Sequence, residues 1–260
     1  MKIKEILRLL DGKAPFKTAE GFDNVGLLVG SEDREIARVL CCLDITRGVI
    51  EEAVEKGAEL IVAHHPVIFT ALKNIPDQSP VMRLIENNLA AAAMHTNLDI
   101  ANGGVNDALV GLLGFEKLCT LDVTQADGTG FGAVCGLPKE LSVRELAGLC
   151  RNALGTGCVR FSAGCEDGRK IRRAAVCCGA GLDANIMRLA EENGCEAIIT
   201  GDIKHNFWIE AEFRGIALID AGHYQTEIAA KRILAKMISD EFPELCVIIS
   251  ENETNPCGYI

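Results

Sequence analysis

Leu60-Ile61-Val62-Ala63-His64-His65-Pro66 reads as a short buried strand that stops at two adjacent histidines. Four apolar residues in a row suit a strand covered on both faces of a sheet. Pro66 has no N–H to give, so the ladder ends there. His64 and His65 are thereby delivered to the rim, where they can flank one pocket. The same pattern recurs at residues 89–94, an apolar strand that opens directly into His95-Thr96-Asn97-Leu98-Asp99. Upstream, residues 36–43 supply a further strand. Residues 47–56 place Val49, Ile50, Ala53 and Val54 on one helical face, with Gly57 as the stop. A loop runs to Gln78, and a helix is expected over residues 80–87. The order is β-α-β-α-β, which predicts parallel strands joined by right-handed crossovers. In such sheets the carboxyl ends of the strands gather at one edge, where ligands bind. His64, His65, His95 and Asp99 are therefore expected on one rim.

Before this unit, residues 3–10 have helical spacing, and Asp23-Asn24-x-Gly26 is turn chemistry leading into a strand. After it, Gly103-Gly104-Val105-Asn106-Asp107 opens a helix to about residue 114. Residues 120–130 are polar and contain glycines, and they mark the expected domain boundary. A strand at 131–137 follows. Ser142-Val143-Arg144-Glu145 is a capping box opening a helix to about residue 154. Strands are expected near 157–162 and 171–178, with a helix over 183–193 ending at Gly194. The apolar run at 197–199 leads into Thr200-Gly201-Asp202-Ile203-Lys204-His205. A strand at 216–219 leads into Asp220-Ala221-Gly222-His223-Tyr224-Gln225-Thr226-Glu227. A final long helix runs to about residue 240, Pro243 breaks it, and residues 245–250 form a terminal strand. An internal repeat pairs residues 36–65 with residues 171–202, each a strand ending in Cys-Cys, a helix and a second strand. The expected fold is α/β, with two similar interlocked domains, mostly parallel central sheets and a metal site in the cleft between them. Residues 1–120, with 225–260 packing back, form one domain and residues 121–224 the other.

Net charge is −11, which speaks against non-specific binding to a nucleic-acid backbone. The longest basic cluster, Gly168-Arg169-Lys170-Ile171-Arg172-Arg173, reads as the solvated start of a strand, with a local anion-binding patch as the alternative. No apolar run approaches the roughly 18–20 residues that span a bilayer. The amphipathic start carries no signal-peptide core. None of the 12 cysteines is paired in C-x-x-C spacing, and most lie in apolar runs. Reduced, buried thiols in a cytoplasmic protein are the expectation.

The chain has five histidines, each at the end of an apolar run or the start of a helix. His223 and Glu227 share a helical face near a helix start. Alone, that pair is a surface pair and His64-His65 a pair of rim histidines. Together, imidazoles and carboxylates at successive strand ends suit Zn, Fe, Mn, Co or Ni, and carboxylates can bridge two cations.

Six ordered motifs sharpen the reading. They are Phe22-Asp23-Asn24-x-Gly26-Leu27, Ala63-His64-His65-Pro66, His95-Thr96-Asn97-Leu98-Asp99, Gly103-Gly104, Thr200-Gly201-Asp202-Ile203-Lys204-His205 and Asp220-x-Gly222-His223-Tyr224-x-x-Glu227. With the closing Asn255-Pro256-x-x-Tyr259-Ile260, the chain resembles the NIF-three-like dinuclear metal centre family, whose members are often named GTP cyclohydrolase I type 2 homologues. Its length is similar to the short form, without the inserted domain of longer members. The resemblance implies two divalent ions held by His64, His65, Asp99, His223 and Glu227. It also implies a hexameric toroid with sites facing an inner cavity. His95, Lys204 and His205 are then expected as substrate-facing or proton-carrying groups. Asn206 stands where the family often has a second histidine. The implied activity is metal-dependent hydrolysis of a nucleotide-like small molecule, in its most concrete form a purine nucleotide. A metal-delivery protein or a protein-interaction scaffold is the competing reading.

Overall fold

The computed structural model describes residues 1–163 and 168–258. In chain order the first elements are α1 (Ile3–Lys13), β1 (Gly26–Val29), β2 (Arg38–Cys42), α2 (Arg47–Glu55), β3 (Leu60–Ala63), α3 (Pro80–Glu86), β4 (Ala90–Ala93) and α4 (Thr96–Ile100). Next come α5 (Val105–Leu113), β5 (Glu116–Val123), β6 (Gly130–Leu141), α6 (Val143–Ala153), β7 (Arg160–Phe161), β8 (Ile171–Val176), α7 (Ala184–Glu192) and β9 (Ala197–Thr200). The last are α8 (His205–Arg214), β10 (Ala217–Asp220), α9 (His223–Glu227), α10 (Ala230–Glu241) and β11 (Cys246–Ile249). Among the described residues, no helix is long and apolar enough to cross a membrane.

One compact unit comprises Met1–Ala101 and Ala230–Pro256. Its sheet has the order β1-β4-β3-β2-β11, parallel throughout except for antiparallel β1. All residues of β3 and β4 are buried, as expected for parallel strands covered on both faces. Ile61 packs with Leu40, Val49, Ile50, Ala53 and Leu84, and each buried leucine, isoleucine or valine contributes about 1.5–3 kcal/mol by leaving water. Thr46 caps α2 by accepting from Val49 N–H, and Ser79 caps α3 by accepting from Met82 N–H.

The other unit is built from Asn102–Ala229. Its sheet has the order β5-β6-β8-β9-β10-β7. Only β8, β9 and β10 run parallel, and the remaining pairings are antiparallel. The second sheet is thus mixed, with its parallel strands at the centre. Ser142 and Glu145 form the expected capping box of α6. The basic cluster is engaged locally: Arg172 pairs with Glu140 and Lys170 with Glu145, while Arg169 and Arg173 donate to the Gly215 and Asn193 carbonyls.

The internal repeat extends to individual hydrogen bonds. In the first unit Glu59 Oε2 accepts from Ala37 and Arg38 N–H, and Arg38 donates to the Lys56 carbonyl at the end of α2. In the second, Glu196 Oε2 accepts from Arg172 and Arg173 N–H, and Arg173 donates to the Asn193 carbonyl at the end of α7. Each glutamate joins the starts of two neighbouring strands. Each third strand, β4 or β10, is followed by a helix of only five residues, α4 or α9.

Several features differ from the sequence expectation. Residues 120–130 form a hairpin: Val123 pairs with Gly130, and the Thr124 and Gln125 N–H groups share the Thr129 carbonyl. Helix α5 packs on β5, β6 and β8, so the compact units divide between Ala101 and Asn102. Helix α8 was not anticipated, because Ala211 is its one fully buried residue and its apolar stripe is weak. The expected final long helix is two helices, and the units divide between them at Ala229 and Ala230. His223 and Glu227 therefore both belong to the second unit.

Candidate metal centre

In the first unit, Ala63 of β3 is in register with Ala93 of β4 and with Cys42 of β2. The three chains leave the sheet side by side, which brings His64-His65, His95 and Leu43-Asp44 to one rim. The rings of His64, His65 and His95 lie with centroids 5.0, 5.3 and 5.4 Å apart. One nitrogen of each lies within 4.8 Å of the others. His64 is wholly buried, and Asp99 of α4 is nearly so.

The far nitrogen of each ring is already engaged. His64 Nδ1 is 2.7 Å from the Met94 carbonyl oxygen, His65 Nδ1 is 2.7 Å from Asp44 Oδ1, and His95 Nδ1 is 2.8 Å from Asp23 Oδ1. A carbonyl has no proton to give, so His64 carries its proton on Nδ1 and turns an Nε2 lone pair inward. That Nε2 lies 3.4 Å from Asp99 Oδ1. A lone pair facing a carboxylate oxygen calls for a cation or a second proton.

Asp23 also accepts from Thr96 N–H at 3.0 Å and from its hydroxyl at 2.5 Å. Burial pushes the Asp23 carboxyl up, but hydrogen bonds from His95 and Thr96 and the charge of His95 outweigh it. The carboxyl is held well below the usual carboxylate range. Asp23-Asn24 is thus more than a turn, and Asn24 Nδ2 ties its loop to the Ile68 carbonyl.

In the second unit, Asp220 of β10 is in register with Thr200 of β9. Asp202 and His223 follow these two strand ends. His223 Nδ1 is 2.9 Å from Asp202 Oδ2, and Nε2 is 2.9 Å from Glu227 Oε2 one helical turn on. An imidazole between two carboxylates needs either a second proton or a cation. Two glycines make room for this pair. A Cβ on Gly179 (φ +57°) would collide with Glu227 Oε1 and stand 3.3 Å from His223 Nε2. One on Gly201 would lie 2.5 Å from the His223 backbone nitrogen.

The donor set fits a divalent transition metal. Imidazole nitrogens are fixed by oxygen partners behind them, the usual support for metal-ligating histidine, and carboxylates lie beside them. The structure thus brings His64, His65, His95 and Asp99 together in one unit, and His223 with Glu227 in the other. Lys204 and His205 are exposed at the start of α8. The sequence reading did not single out Asp44 or Asp202 by role. Both follow strand ends by two residues, where an aspartate is common turn chemistry.

A profile of the Duf34/NIF3 (NGG1p interacting factor 3) family matches residues 1–256. The chain belongs to that family. Among Duf34/NIF3 relatives, a Clostridium perfringens protein named GTP cyclohydrolase 1 type 2 homolog is 33% identical over 266 aligned residues, covering all of both chains. A Staphylococcus aureus crystal structure superposes with a TM-score of 0.91 at 29% identity, covering 100% of this chain and 99% of the other. A Bacillus cereus protein related to NIF3 gives 0.93 at 22% identity with the same coverage, a likeness of fold. Tyr259 and Ile260 of the closing motif lie outside the described residues.

Proposed function

We propose that the two donor sets act together as a dinuclear metal centre in which His64, His65, Asp99, His223 and Glu227 are the ligands, and that the protein is a metal-dependent hydrolase of a nucleotide-like small molecule. The observation that carries the metal reading is the arrangement at His64 and His223, where an imidazole nitrogen faces a carboxylate and its partner nitrogen is already satisfied by oxygen. Two ions of the Zn, Fe, Mn, Co or Ni class would supply Lewis acidity and acidify water there. The residues around them hold and move protons. His95, its Nδ1 tied to Asp23, presents Nε2 for proton transfer. Lys204 and His205 would meet an anionic part of the substrate. The names of the relatives point to a purine nucleotide as the first substrate to try. Assembly as a homohexamer belongs to the same proposal.

Elemental analysis of wild type beside Glu227→Ala tests the metal reading. About two equivalents per chain, falling in the variant, is the expected result. No metal in either after reconstitution refutes it. Turnover of nucleoside triphosphates by the loaded protein then tests the hydrolase, and turnover unchanged by His64→Ala would refute that assignment. Metal retained without turnover, but passed to an apo acceptor, would assign the protein to delivery instead.

A further inference from the structure

We propose that Asp44 is a positioning residue for His65, fixing which imidazole nitrogen is presented at the rim. The inference rests on the reading of His65 as a metal ligand. Asp44 lies in none of the six motifs. It follows β2 by two residues, and its Oδ1 stands 2.7 Å from His65 Nδ1. A carboxylate accepts, so the proton of a neutral His65 sits on Nδ1 and the lone pair on Nε2. The His65 backbone N–H donates to the Leu43 carbonyl at 2.9 Å, so the two loops are also joined through the main chain.

An exposed carboxylate beside a histidine is by itself an ordinary surface pair, worth about 0–1 kcal/mol. What separates Asp44 from that case is the fixing of its backbone. Glu253 Oε1 accepts from Leu43 N–H at 2.8 Å and from Asp44 N–H at 2.5 Å. The Glu253 side chain is fully buried, with Lys231 Nζ 3.3 Å from its Oε2. Glu52 anchors the segment before it, accepting from the Ser250 hydroxyl and from Glu251 and Asn252 N–H. Burying a carboxylate is costly unless it is paired and hydrogen-bonded. Here a buried glutamate holds a two-residue loop, and that loop carries the carboxylate that orients His65.

The test compares wild type, Asp44→Asn and Asp44→Ala. Long-range ¹⁵N–¹H NMR of the imidazoles in metal-free protein reads the His65 tautomer. Competition with a chelator reads zinc affinity. Asp44 is partly exposed, so both variants are expected to fold. Wild type should show the Nδ1–H tautomer. Asn should retain it, because an amide oxygen accepts the same bond. Ala should lose it and bind zinc about 10–100-fold more weakly, with Asn in between. An unchanged tautomer in Asp44→Ala, or wild-type zinc affinity in that variant, would overturn the proposal. Wild type that binds no zinc would instead overturn the metal reading, and the tautomer measurement alone would then decide whether Asp44 orients His65.

Discussion

Replacing Gly179 with alanine separates the cost of folding from the cost of displacing Glu227, a proposed metal ligand. Gly179 has φ +57°, where an L residue costs about 1 kcal/mol. Its backbone has little freedom to recede. Its N–H donates to Thr226 Oγ1 at 3.0 Å, and its carbonyl accepts from Gly201 N–H at 2.8 Å and Thr200 Oγ1 at 3.0 Å. The new methyl would overlap Glu227 Oε1 and lie 2.9 Å from Glu227 Cδ. Since Glu227 is 3% exposed, its carboxylate swings aside within the interior. The expected stability loss is about 1–2 kcal/mol, a melting shift of a few degrees for a chain of this size. Loss of a correctly placed ligand should weaken metal binding by at least the 10–100-fold seen for outer partners, about 1.4–2.7 kcal/mol. Gly155→Ala is the control: φ is +60° and nothing lies within 4 Å of the added methyl, so it carries the backbone cost alone. Thermal melts and chelator competition on both variants check this. Equal metal affinity in Gly179→Ala and Gly155→Ala would refute the collision argument.

Glu52 is held at a pKa of about 2, below the ordinary 4.5: burial pushes it up, but hydrogen bonds from Lys56, Ser250, Glu251 and Asn252 prevail. A depressed folded pKa stabilises above 4.5 and loses that contribution as pH falls toward 2, so Glu52→Gln should cost about 2–3 kcal/mol at pH 7 and almost nothing near pH 2 in denaturant titrations. A variant whose deficit is the same at both pH values would contradict it. Burial pushes the thiols of Cys41, Cys135, Cys150 and Cys195 up to about 12, whereas Cys119, Cys158, Cys246 and Cys257 are exposed. Alkylation of native protein at pH 8, mapped by mass spectrometry, should therefore mark the exposed four well before the buried ones. Glu59→Ala and Glu196→Ala each remove an acceptor for two backbone N–H groups, and each is expected to cost about 1–3 kcal/mol by chemical denaturation. A negligible loss at either would mean that water replaces the clamp.

The rim was legible because its signals are local. A four-residue apolar strand ending in His-His-Pro can be read from the chain, and parallel pairing then gathers the strand ends. Pattern singled out Asp99, His223 and Glu227, and the resemblance alone joined them into one proposed ligand set. Asp44 and Asp202 were not, because an aspartate two residues past a strand looks like any turn residue until its partner imidazole is in view. Helix α8 escaped because it buries so little. The strand β5 escaped because most of its residues are exposed and lack the alternation that marks a half-buried strand. The domain division was misplaced for the same reason: a polar hairpin and a polar linker have the same composition.

The pairing of β11 with β2 sets an order of assembly. Leu43 and Glu253 are 210 residues apart in sequence, so the first-made strands wait for nearly the whole chain to emerge before their sheet is complete. Asn102–Ala229, which holds all the strands of the other sheet, is finished in the meantime. During synthesis the middle of the chain can fold first and the beginning last. A ribosome stalled before residue 246 would present an unpaired edge on β2, open to another nascent chain.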